Sequence, residues 1–85
     1  MAYRIEFTPS AARTLSKISA TLQRRISLKI DMLSSLPRPP RVEKLHGHQN
    51  RYRLRVGDYR IIYEIQEQIL LVLIVKIGHR REVYR

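Results

Sequence analysis

Eighty-five residues without cysteine make one small domain, residues 1–85, held together by neither disulfides nor a thiolate metal site. Hydrophobic residues form 44% of the chain, enough for a packed core and too many for a disordered segment. A net charge of +10 directs attention to phosphate-rich or strongly acidic partners.

Tyr3, Ile5 and Phe7 alternate with Arg4 and Glu6, the pattern of a strand with one buried face. The opening residues do not form a signal peptide, and the longest apolar run, 69–75, is far too short to cross a bilayer. A soluble, cytoplasmic protein is expected, with no membrane partner. Thr8-Pro9 is a helix start, a capping hydroxyl followed by proline at the first helical position. Ala11, Ala12, Leu15 and Ile18 give that short helix one apolar side. After Ser19, Leu22, Ile26, Ile30 and Leu33 recur every three or four residues, with Met32 and Leu36 on the flank. Arg24, Arg25, Lys29 and Asp31 take the wet side, and Pro37, Pro39 and Pro40 end the helix. Residues 37–50 read as a connector with little strand character.

Residues 51–63 then read as two strands joined by a Gly57-Asp58 turn. A two-residue loop fixes register, setting Val56 against Tyr59, Arg55 against Arg60, Leu54 against Ile61 and Arg53 against Ile62. Alternation assigns Tyr52, Leu54, Val56, Tyr59, Ile61 and Tyr63 to a core face. Arg51, Arg53, Arg55 and Arg60 share the other face, and Arg55 opposing Arg60 destabilises a sheet unless an anion compensates the repulsion. Guanidinium forks match phosphate oxygens, so that face is a candidate phosphate groove.

Glu67-Gln68 reads as a second tight turn into an apolar strand that ends near Gly78. This turn would set Tyr59 and Arg60 against Lys76 and Val75, and would bring Arg80, Arg81 and Tyr84 back towards the basic face. The expected fold is α+β: a strand, a two-helix hairpin, then three to four antiparallel strands in one sheet with the helices on one face. His46, His48 and His79 have no carboxylate or cysteine at ligand spacing, so no metal site is assigned. The seven carboxylates are scattered, which disfavours two-metal nuclease chemistry. His79, with an unperturbed pKa near neutrality, is a candidate proton shuttle.

The order and spacing of these pieces resemble the RelE branch of the RelE/ParE superfamily of bacterial toxins. The residues concerned are the opening Met-Ala-Tyr-Arg-Ile-Glu-Phe, Lys44-Leu-His-Gly47, Tyr52-Arg-Leu-Arg-Val56, Gly57-Asp-Tyr-Arg-Ile-Ile-Tyr63, Ile77-Gly-His-Arg80 and Glu82-Val-Tyr84. The resemblance implies a cofactor-free endoribonuclease that cleaves messenger RNA in the ribosomal decoding site and is neutralised by a cognate acidic antitoxin. DNA would be met only through that antitoxin. It implies catalytic roles for Arg53, Arg55, Arg60, Arg80 and Tyr84. Lys44, with Arg51 and Arg81 beside the site, would contact messenger or 16S ribosomal RNA. The best-known member of that family has lysines where this chain has Arg53 and Arg55; arginine stays protonated, which suits charge stabilisation and not proton removal. Relatives with an additional C-terminal helix differ from this chain, which ends at Arg85. Two other readings share the same features: a non-catalytic ParE-type toxin acting on DNA gyrase, and a basic RNA-binding protein without enzymatic activity.

Overall fold

The computed structural model describes residues 2–79, so the expectations for Arg80, Arg81 and Tyr84 lie outside the described residues. Strand β1 spans Arg4–Phe7, helix α1 Pro9–Ser16 and helix α2 Ala20–Met32. The remaining strands are β2 (Glu43–Lys44), β3 (Arg51–Val56), β4 (Tyr59–Gln66) and β5 (Leu71–His79). They form one sheet in the order β1, β5, β4, β3, β2.

Thr8 caps α1 as its sequence implies, its hydroxyl accepting from the Ala11 amide at 3.1 Å. The same hydroxyl donates to the Val75 carbonyl at 2.8 Å, so the cap also pins α1 to β5. Both helices cover one face. Ala11, Ile26, Ile30 and Leu33 pack there against Leu54, Ile61, Tyr63, Ile65, Val72 and Ile74, all buried. Tyr63 is fully enclosed and stacks on Tyr52 with ring centroids 5.8 Å apart. Its hydroxyl donates to the Pro37 carbonyl at 2.7 Å, and Arg38 donates to the Tyr52 hydroxyl at 2.9 Å. The proline-bearing connector is thereby fastened to the sheet.

Three expectations change. The sheet is mixed: β1 runs parallel to β5, Ile5 opposite Val72. Alternation shows which face of a strand is buried but carries no information about its partner or direction. The connector contributes β2, which sets Glu43 against Arg53 and Lys44 against Tyr52. The link from β4 to β5 is longer than a two-residue turn, a 3-10 turn over Glu67–Ile69 followed by Leu70 at φ +51°. That loop and a bulge at Ile62/Tyr63 together shift the β5 register, setting Tyr59 against His79 and Arg60 against Gly78.

The β3–β4 hairpin has the register its two-residue loop dictates, with Arg55 opposite Arg60. Gly57 lies at φ +58°, a backbone region costly to residues with a Cβ. Gly57→Ala is therefore expected to lower unfolding free energy by about 1–2 kcal/mol, read from urea denaturation. An unchanged midpoint would show that the turn relaxes without cost.

Candidate phosphate-binding face

On the face away from the helices, strand register sorts the side chains into three rows across the sheet. The first contains Glu6, Leu73, Glu64 and Arg51. The second contains Lys76, Ile62, Arg53 and Glu43. The third, at the Gly57-Asp58 end, contains Gly78, Arg60 and Arg55. Successive rows are two residues, about 7 Å, apart.

Charge climbs from row to row. In the first, Arg51 donates to Glu64 at 3.2 Å. Glu64 also accepts from Gln66 at 2.7 Å, and these two contacts, Gln66 first, hold its carboxyl below the usual carboxylate range against an opposing effect of burial. A depressed folded-state pKa gives stability that is present at neutral pH and is lost as pH falls through the carboxylate range. Glu64→Gln is expected to flatten the acid limb of a stability-versus-pH curve between about pH 6 and pH 3. Identical acid limbs in both proteins would contradict that.

In the second row Arg53 grips Glu43 through two nitrogens, at 3.0 and 3.2 Å, and Lys76 adds an exposed cation. Among the described residues the third row has two arginines and no carboxylate. Arg55 is exposed, whereas Arg60 is only 5% exposed. Gly78 places no side chain beside it. Among the described residues no buried side-chain nitrogen or oxygen lacks a hydrogen-bond partner, so Arg60 is a buried charge that is held in place.

The four arginines expected on this face are all there, but they are not equivalent. Arg51 and Arg53 are paired with Glu64 and Glu43, and Arg55 and Arg60 lie opposite each other in the third row. Lys76 was not anticipated, because the register expected from a tight Glu67-Gln68 turn set it against Tyr59 on the core face. That placement would have buried an ammonium among aromatic rings, and this cost was the available signal for a parity change before it. His79, which that tight-turn register would set on the basic face, departs from expectation as well. It shares the parity of Tyr59, its ring meets the Tyr59 ring edge-on at 5.6 Å, and it lies on the helix-covered side. Lys44 shares the Tyr52 parity on the edge strand and is exposed. No group of three His, Cys, Asp or Glu among the described residues is arranged to hold a metal ion. No helix among them is long and apolar enough to cross a membrane.

What this face can do is bind an oxyanion and stabilise one that gains charge. Arg55 is exposed to solvent, and Arg60 acts from a less polar setting where its field is less screened.

The family model for the ParE toxin of the type II toxin–antitoxin system parDE matches residues 5–84. The chain is 31% identical to the mRNA interferase toxin RelE of Escherichia coli K12, over 99% of this chain and 92% of that protein. It is 30% identical to toxin RelG of Mycobacterium tuberculosis H37Rv, over 100% of this chain and 99% of that one. Among solved structures, the archaeal RelE–RelB complex of Pyrococcus horikoshii OT3 aligns with a TM-score of 0.85 at 30% identity, covering 96% of this chain and 99% of that chain. A free arginine-to-alanine double variant of E. coli RelE aligns at 0.83 and 25% identity, covering 99% and 92%. With matches spanning nearly the whole chain in sequence and in fold, this protein belongs to the RelE/ParE family of toxins of type II toxin–antitoxin systems.

Proposed function

We propose that this toxin is a ribosome-dependent endoribonuclease that cleaves messenger RNA in the decoding site and is silenced by an acidic cognate antitoxin. The observation that carries the reading is the third row, an exposed and a buried arginine opposed across adjacent strands. Further support comes from full-length relatives named mRNA interferase RelE and from RelE toxins crystallised with RelB antitoxins.

In this mechanism the RNA 2′-OH loses its proton and its oxygen attacks the neighbouring phosphorus. The bond to the 5′-oxygen breaks, and that oxygen takes up a proton as it leaves. The products are a 2′,3′-cyclic phosphate and a 5′-OH. The nucleophile belongs to the substrate, so the step needs no metal-activated water. Arg60 and Arg55 stabilise the charge that builds on the phosphoryl oxygens, with Arg53 and Lys76 behind them. Arg80 assists the leaving oxygen and Tyr84 orients the base. Lys44, Arg51 and Arg81 contact ribosomal or messenger RNA, and Arg51 does so while paired with Glu64. Positioning by the ribosome supplies much of the substrate geometry, so free RNA is a poor substrate.

His79 sits against Tyr59 on the helix-covered side, so His79→Gln is expected to cleave at close to the wild-type single-turnover rate. A large loss of rate in a folded His79→Gln protein would restore the shuttle role.

The matching family model bears the ParE name, and a gyrase-directed toxin is the second reading. A cell-free assay separates them. The nuclease reading requires inhibited translation with gyrase supercoiling untouched; the reverse pattern would overturn it.

A further inference from the structure

Beside the third row lies a groove of about 540 Å³ that shares only Arg55 with the roles above. Lys29 of α2, Pro40, Arg41, Glu43, Leu54 and Arg55 line it. Glu43, its one carboxylate, is already held by Arg53. Lys29, Arg41 and Arg55 are exposed, and none of the three forms an ion pair with another described residue.

Backbone geometry adds to the charge. The Arg51 carbonyl accepts from the Leu45 amide, so the outward-pointing main-chain groups of β3 belong to Arg51, Arg53 and, by alternation, Arg55. Strand β2 pairs only as far as Arg53, which leaves the Arg55 edge uncovered by a strand. Arg41 sits at φ +77°, a conformation uncommon outside glycine and one that recurs at ligand-binding positions.

We propose that this groove binds a backbone phosphate of the RNA strand outside the scissile position; the assignment of an RNA ligand rests on the nuclease reading. The groove begins at the free edge of β3, one strand spacing, roughly 5 Å, from the strand that carries Arg60, so it lies within reach of a phosphate next to the scissile one. Arg55 belongs both to the groove and to the third row, so one continuous positive track links them. An acidic protein segment would meet the same cations, but the continuity with Arg60 favours the strand being cut.

The test is binding of oligonucleotides made uncleavable by a 2′-deoxy substitution, across a salt series, by wild type and the double variant Lys29→Gln, Arg41→Asn. Asparagine tolerates the positive φ at 41, and thermal melting verifies folding. The double variant is expected to bind a long oligonucleotide about tenfold more weakly, with a salt slope smaller by about 0.7. It should match wild type on oligonucleotides trimmed to the scissile step. In cleavage assays KM should rise at unchanged kcat.

An unchanged salt slope, or equal weakening on long and trimmed oligonucleotides, would overturn the proposal. So would intact RNA binding with selective loss of poly-glutamate binding, which would assign the groove to an acidic partner. If the groove-dependent slope appears in a protein that never cleaves on ribosomes, the nuclease reading fails and the groove stands. If cleavage proceeds and the slope is unaffected, only the groove fails.

Discussion

Arg60→Gln is expected to lower cleavage of ribosome-bound messenger RNA by about 10²–10³-fold, mostly in kcat. The buried guanidinium is the fixed charge of the third row, and glutamine retains donors there while removing the charge. A group of this kind stabilises charge that grows between ground state and transition state, so its loss affects turnover more than substrate binding. Arg60→Lys should recover part of the rate, because an ammonium restores the charge but cannot fork onto two oxygens. Arg55→Gln should cost less, since its exposed side chain is screened by water. Combined loss at 55 and 60 should fall short of the product of the single effects, because both cations act on one phosphate. Single-turnover rates on programmed ribosomes measure all of these. Equal, small effects at the two positions would show that the row binds RNA without catalysing its cleavage.

The second large effect concerns the scaffold. Tyr63→Ala should destabilise the fold by about 3–5 kcal/mol, a large share of the stability of a domain this size. Tyr63 has no exposed surface, stacks on Tyr52, and ties the Pro37 carbonyl to the sheet. Alanine would leave a cavity under the connector and orphan that carbonyl. Tyr63→Phe retains the ring and loses one hydrogen bond, so a cost of about 1 kcal/mol is expected. Burial, followed by the effect of Tyr52, raises the Tyr63 pKa far above its ordinary value. A raised folded-state pKa gives stability that is present below the unfolded value of about 10 and fades at higher pH. Alkaline unfolding should therefore be shallower in Tyr63→Phe than in wild type. Urea midpoints across pH measure both effects, and a Tyr63→Ala protein as stable as wild type would refute the role given to this side chain.

How much was legible depended on loop length. The Gly57-Asp58 turn has two residues, so Arg55 opposite Arg60 and the whole core face of β3 and β4 followed from alternation. The same register, carried further, sets Arg51 against Glu64, an ion pair readable from sequence once the pairing is extended. Strand β5 was not legible to that depth. Neither the turn ending at Leu70 nor the bulge at Ile62/Tyr63 has a strong residue signature; the turn slides the register by two, and the one-residue bulge brings Lys76 onto the basic face and takes His79 off it. The Arg53–Glu43 pair was hidden because a two-residue strand carries too few positions for a pattern. Nor does alternation show that Arg60 is buried, since that depends on its neighbours across the sheet. Among the described residues the basic face is thus a row of Arg55 and Arg60 beside an Arg51 paired with Glu64 and an Arg53 paired with Glu43, not four equivalent cations.

The most direct measurement is the chemistry of the ends made by the purified wild-type toxin on messenger RNA in programmed ribosomes. Attack by the RNA's own 2′-OH, assisted by the third row, predicts 2′,3′-cyclic phosphate and 5′-OH ends, lost in Arg60→Gln. Ends bearing 5′-phosphate and 3′-OH would mean that water is the nucleophile and would contradict the account, as would intact messenger RNA.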